Sequence, residues 1–121
     1  MHTMTFNIEP IAKGRPVFGK GFTYTPKRTR DAEKNLKILM RSQFKHKPLE
    51  SSIKIEIVFF MKRPKICKRA YPSTRPDIDN LIKMVTDAGN EILWKDDNLI
   101  VQISARKEYG EPSIKLVVGE M

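Results

Sequence analysis

The sequence predicts an α+β domain, a mixed and mostly antiparallel β-sheet with two α-helices packed on it. Three observations predict it. Residues 52–61 alternate strictly enough to be a half-buried strand. Two segments, about 27–46 and 80–93, repeat their apolar residues at helical spacing. Around them lie short alternating runs separated by Gly and Pro. At 121 residues the chain has the length of one ordinary domain, so residues 1–121 are expected to fold as a single unit.

In chain order, Thr3–Glu9 carries Met4, Phe6 and Ile8 on one side and reads as a first strand, which Pro10 ends. Val17-Phe18 and Phe22–Thr25 flank Gly19-Lys20-Gly21 and read as a short hairpin with a glycine turn. Thr25-Pro26 suits a helix start, with Thr25 as N-cap and Pro26 at the first helical position. Ala32, Leu36, Leu39, Met40 and Phe44 then lie near one face of a helix that Lys47-Pro48 closes. In Ser52–Met61, Ile53, Ile55, Ile57, Phe59 and Met61 share one side. Residues 62–76, KRPKICKRAYPSTRP, are too polar and too broken by proline for a regular element. The second helix, about Asn80–Leu93, turns Leu81, Ile82, Val85, Ala88 and Ile92 inward, with Gly89 weakening its later part. Leu99–Tyr109 and Ser113–Val118 read as two strands joined by a hairpin loop containing Gly110.

The charge is unevenly divided. Residues 10–75 hold 18 Lys/Arg against four Asp/Glu, a balance of +14, whereas residues 76–121 hold five against nine, a balance of −4. A basic body with an acidic cluster set into it suggests a surface for a polyanion and an embedded cation site. A single cysteine, Cys67, excludes an intrachain disulfide and a zinc-finger ligand set, and fits an unpaired thiol in a reducing cytoplasm. The first residues show no signal-peptide pattern, and the longest apolar run, Ile57–Met61, is too short for a bilayer, so no membrane is expected.

The stretch RPDIDNLIKMVTDAGNEILWKDD, residues 75–97, holds six of the 14 acidic residues. Pro76 favours extended chain ahead of it, and extended chain from Asp77 to Asp79 projects both carboxylates from one face with Ile78 turned inward. Asp79 also suits the N-cap of the following helix. Lys83 stands four residues after Asp79 and four before Asp87, on the same helix face. Surface ion pairs account for Lys83 and Asp87. They do not explain two carboxylates at one corner, or the recurrence of Asp96-Asp97 beyond the helix. If the two acidic ends meet, hard oxygen ligands select Mg²⁺ or Mn²⁺. An EF-hand register fails, because it would put Ile82 where Gly belongs and Ala88 where Glu belongs. The acidic spacing does not establish that Asp77, Asp79, Asp96 and Asp97 converge within one chain. The alternative is a helix cap with surface ion pairs.

A basic surface that grips phosphates, combined with a metal-holding carboxylate cluster, describes a metal-dependent nuclease. Lys83 then stabilises the pentacovalent phosphate or orients water. Lys62, Arg63, Lys65, Lys68, Arg69 and Arg75 of the proline-broken loop are the best candidates for phosphate contacts, since the loop leads directly into Asp77. Phe18, Phe22 and Tyr24, flanked by Lys13, Arg15, Lys20, Lys27 and Arg28, are candidates for DNA contact as well as for core packing. Trp94 reads as a packing residue, and His2 and His46 as bystanders.

The pattern Asp77-Ile78-Asp79-Asn80-Leu81, Lys83, Asp87-Ala88 and Trp94-Lys95-Asp96-Asp97 resembles the signature of the RusA family of Holliday-junction resolvases. KGRPVFGKGFTYTPKRTRD, from Lys13, resembles more loosely the amino-terminal segment of phage and prophage members. The segment around Gly89-Asn90-Glu91 is one residue shorter than in some members. The resemblance implies a homodimeric, Mg²⁺-dependent endonuclease (Mn²⁺ substituting) that binds four-way DNA junctions and nicks two strands symmetrically, in recombination and repair. It implies metal ligation by Asp77, Asp79 and Asp97, a catalytic Lys83, supporting roles for Asp87 and Asp96, and DNA binding by Lys13, Arg15 and the loop ending in Arg75. It favours one site per subunit. A non-catalytic branched-DNA-binding module, and a nuclease for flaps or forks, remain as alternatives.

Overall fold

The computed structural model describes residues 1–14, 17–19, 21–24 and 26–121, with backbone alone for Val17, Phe18 and residues 22–24. The elements run β1 (His2–Phe6), β2 (Val17–Gly19), β3 (Phe22–Tyr24), α1 (Lys27–Gln43), β4 (Ile53–Met61), α2 (Ile78–Ala88), β5 (Ile100–Tyr109) and β6 (Ser113–Glu120). A single 3₁₀ turn, Asp97–Leu99, precedes β5. The main sheet has the order β1-β6-β4-β5, and β2-β3 forms a separate two-stranded ribbon. Two of the three pairings in the main sheet are antiparallel, and β4 with β5 is parallel. The fold is therefore the expected α+β arrangement.

The alternation of β4 produces this layering. Ile53, Ile55, Ile57 and Phe59 are all buried on the helix side, and the registers continue that face into neighbouring strands. One row runs Met4–Leu116–Ile57–Ala105, the next Phe6–Ile114–Phe59–Lys107. Leu36 and Met40 of α1, with Leu81, Met84 and Val85 of α2, close the same core. Burying such apolar side chains is the main term holding the layers together, at roughly 1.5–3 kcal/mol for each fully covered large residue.

Three expectations need correction. β5 and β6 do not pair with one another. They flank β4 on opposite sides, so the Gly110 segment crosses the end of β4, where the Gly110 N–H donates to the Met61 carbonyl at 2.9 Å. Next, α2 begins at Ile78 and stops at Ala88, so Asp77 rather than Asp79 occupies the N-cap position. Ile78 and Asp79 are already helical, and the shared extended face of Asp77 and Asp79 is lost. Third, Pro26 sits at the N-cap position and Lys27 is the first helical residue of α1. The proposed cap Thr25 lies outside the described residues.

Candidate active site and nucleic-acid interface

The unit β4–α2–β5 sets the site. Because β4 and β5 are parallel, α2 runs back between them, and its two ends lie at opposite ends of the sheet. Asp77 and Asp79 stand exposed at the head of α2. Asp79 Oδ1 accepts a hydrogen bond at 2.9 Å from the Asn80 N–H, and Asp77 makes no side-chain cap bond. Both carboxylates therefore point their remaining lone pairs to solvent beside the positive end of the helix. Lys107 of β5 holds the approach to this corner. Its ammonium donates to the Thr74 carbonyl at 2.8 Å and to the Pro76 carbonyl at 2.9 Å, just after the cis Arg75–Pro76 bond.

Lys83 follows one turn into α2, exposed, with its ammonium 3.5 Å from Asp87 Oδ2. The other acidic end is built differently. Gly89 closes α2, Glu91 adopts a left-handed φ of 66°, and residues 89–94 fold into a tight turn on Leu49. Trp94 is fully buried there, as expected for a packing residue. Its indole N–H donates to the Asn90 side-chain oxygen at 3.1 Å, and Asn90 Nδ2 in turn donates to Asp97 Oδ2 at 3.2 Å. Asp97 is thus fixed at the tail of α2, with exposed Asp96 beside it. The 11 residues of α2 separate the two acidic ends, a rise of about 16 Å at 1.5 Å per residue. Among the described residues no three His, Cys, Asp or Glu side chains form a metal-holding group. The carboxylate chemistry suits Mg²⁺, but one chain brings Asp77 and Asp79 to one place and Asp97 to another.

The basic loop covers the edge next to the head of α2. Lys62, Arg63, Lys65, Lys68, Arg69 and Arg75 are all exposed. Arg63 donates to the Arg69 carbonyl at 2.9 Å and lies 4.3 Å over the Tyr109 ring, which gives the loop a fold of its own. The Cys67 thiol sits 3.4 Å from the Tyr109 hydroxyl, and that hydrogen bond, aided by Arg69 and Arg63, lowers its pKa below the ordinary thiol value. Beside the loop, an open groove runs down to Asp77. Lys13, Arg28, Thr29, Arg75 and Asn80 are among its lining. Lys107 carries no local motif that would have singled it out; only the fold sets it beside Pro76 at the head of α2.

Lys13 is placed differently from the loop cations. Its ammonium pairs with Glu33 of α1 and lies 3.3 Å from Asp87 of α2, and its backbone N–H donates to the Asn80 carbonyl at 2.9 Å. Burial pulls its pKa down, but the bond and charge of Glu33, with Asp87 behind, outweigh that and hold it above the ordinary lysine value. Arg15, and the side chains of Phe18, Phe22 and Tyr24, lie outside the description. His2 and His46 pack with Phe44, at centroid distances of 5.0 and 5.2 Å from it.

Two exposed carboxylates at a helix head, with a lysine one turn on and a cation-lined groove beside them, are groups that can hold a divalent cation and a phosphate. The family model of the endodeoxyribonuclease RusA matches residues 7–118, nearly the entire chain, and the protein belongs to that family. A relative in Bacillus subtilis (strain 168), the uncharacterized protein YqaN, is 27% identical over 133 aligned positions, covering 93% of this chain and 92% of its own. No helix among the described residues is long and apolar enough to cross a membrane.

Proposed function

We propose that the protein is a Holliday-junction resolvase, a homodimeric endonuclease that makes paired symmetric nicks in four-way DNA with Mg²⁺, or Mn²⁺ in its place. The observation that carries this reading is the head of α2 in a member of this family. Asp77 and Asp79 stand together there, Lys83 follows one turn on, and Arg75 ends the basic loop beside them. The exposed cations of residues 62–75 hold phosphates on either side of the cut and set register without reading sequence. Lys83 supplies fixed positive charge where the pentacovalent phosphate develops. A divalent ion bound by Asp77, Asp79 and Asp97 would add Lewis acidity at the scissile phosphate. Asp96 and Asp87 support Asp97 and Lys83.

The separation of Asp97 from Asp77 within one chain favours a site completed by a second copy, in place of the one-chain site that the resemblance suggests. Among the described residues β5 pairs through one edge, and Val101 and Ile103 on it are 59% and 44% exposed. Two such edges paired antiparallel about Gln102 would bring the 3₁₀ turn that carries Asp97 of one copy toward the Lys107 end of β5 in the other. Lys107 holds the carbonyl next to Asp77. A two-fold axis then gives two equivalent sites, as paired nicks require.

The test is cleavage of an end-labelled four-way junction with Mg²⁺ or EDTA, beside forks and flaps. Asp79→Asn should bind at least as tightly as wild type, because a charge that repels phosphate is gone, and should not cut. Wild-type cutting by that variant would overturn the site. Mixing Asp79→Asn with Asp97→Asn probes the shared site. Copies that share sites regain one intact site per mixed dimer and nick one strand, whereas self-contained sites stay dead. Stronger cutting of forks than of junctions would reassign the substrate.

A further inference from the structure

Asp87 Oδ2 faces two ammonium groups, Lys13 at 3.3 Å and Lys83 at 3.5 Å. Lys13 also pairs with Glu33, which is itself 3.7 Å from Lys37. The result is an alternating chain, Lys37–Glu33–Lys13–Asp87–Lys83, running from α1 across to α2. Its members differ in freedom. Lys13 and Asp87 keep only 21% and 22% of their side-chain exposure, while Lys83 keeps 61%.

We propose that Lys13 is a positioning residue. By occupying the Asp87 oxygen that would otherwise capture Lys83, it leaves the Lys83 ammonium loosely held and able to reach a phosphate. The proposal rests on the nuclease reading for the role of Lys83. The competing role, a direct phosphate contact by Lys13, would require it to leave two carboxylates and a half-buried position. The loop bearing Lys13 is also tied to α2 through its backbone bond to Asn80, at the same helix head as Asp79. The Lys83 ammonium is itself mostly exposed and shares its carboxylate oxygen with Lys13, so its i,i+4 pair is weak enough to yield to a phosphate. Without Lys13, Asp87 loses its half-buried cation, and its charge bears on Lys83 alone among the partners described.

Two readouts test this. The first is single-turnover cutting of a four-way junction at saturating protein, with the salt dependence of junction binding measured without divalent metal. Lys13→Met should slow cutting on the order of tenfold or more, the scale of a misplaced catalytic group, with an unchanged salt slope. In an Asp87→Asn background the same change should have no effect on the rate. A salt slope smaller by about 0.9, with equal rate loss in both backgrounds, would make Lys13 a phosphate contact and overturn the proposal. The second readout needs no DNA: site-resolved acylation of Lys83, followed by mass spectrometry. Lys13→Met should slow acylation of Lys83, and Glu33→Gln should speed it, because Lys13 then leans more fully on Asp87. Unchanged acylation in both variants overturns the proposal. If the wild type cuts no junction, the nuclease reading fails by itself, and acylation still decides what Lys13 does to Lys83. Should Lys13→Met fail to fold, Glu33→Gln decides the matter, since its predicted effect has the opposite sign.

Discussion

Gly89→Ala tests the turn that carries Asp97. Gly89 has φ −74° and ψ −14°, which alanine adopts without strain, so backbone entropy alone would favour the change by about 0.4–1 kcal/mol. Packing opposes it. A Cβ at this position would lie 2.5 Å from Trp94 Cζ2 and 2.8 Å from Cε2, where ordinary contacts begin at 3.4 Å. The indole must therefore retreat by roughly 1 Å in a site where it is fully buried and hydrogen-bonded to Asn90, and overpacking of this kind costs about 1–3 kcal/mol. The balance is a loss of about 1–2 kcal/mol, or a Tm lower by about 4–8 °C for a chain of this length. Trp94 is the only tryptophan, so its fluorescence reports this site alone. Melting followed by that emission and by far-UV circular dichroism should show the lower Tm together with a shifted native spectrum. Junction cutting should slow as well, because the displaced ring carries Asn90, and Asn90 carries Asp97. An unchanged or higher Tm with an unchanged spectrum would refute the close packing. Trp94→Phe should remove most of the penalty of Gly89→Ala, since contacting residues do not add independently.

Other outcomes follow from the same geometry. Lys107→Met releases the Thr74 and Pro76 carbonyls, and should slow cutting by loosening Asp77 while leaving the salt slope of junction binding intact; a slope change would mean that Lys107 touches DNA. Cys67 should be alkylated by iodoacetamide faster than a free thiol at neutral pH. Its pKa is lowered chiefly by the Tyr109 hydroxyl, so any stability it contributes is present above the ordinary thiol pKa and lost as pH falls through the depressed value. Tyr109→Phe should move the alkylation profile to higher pH, and an unmoved profile would discount that bond. Lys13 is shifted the other way. The stability from its ion pairs is complete below the ordinary lysine value and should fade as pH rises through its raised one, which an alkaline melt compared with Lys13→Met would show.

Much of the framework was legible because its signals are local. The alternation of residues 53–61 fixes which side of β4 is buried, and the spacing of Ala32, Leu36 and Met40 fixes the inner face of α1. The acidic motif was equally plain. What failed was the choice of neighbours. A run such as Ile100–Tyr109 states that it is a strand, but not that it lies parallel to β4 instead of folding onto β6. The end of α2 is not legible in the same way, because Ile92 continues the apolar period while the tight turn on Leu49 buries it by another route. For Lys13 the resemblance implies DNA binding, and its basic sequence neighbours say nothing of an acidic partner. Its carboxylate partners, Glu33 and Asp87, stand 20 and 74 positions away and come to it only through folding.

The position of β6 has a consequence for how the chain becomes a working enzyme. This strand lies inside the main sheet, hydrogen-bonded to β1 on one side and β4 on the other. Until residues 113–120 have been made, β1 has no strand beside it and β4 keeps one edge open, so the basic loop and the acidic helix head have no finished sheet to stand on. Late, long-range pairing of this kind slows folding. It also makes the support of the basic loop and the acidic helix head wait on the last strand to be made.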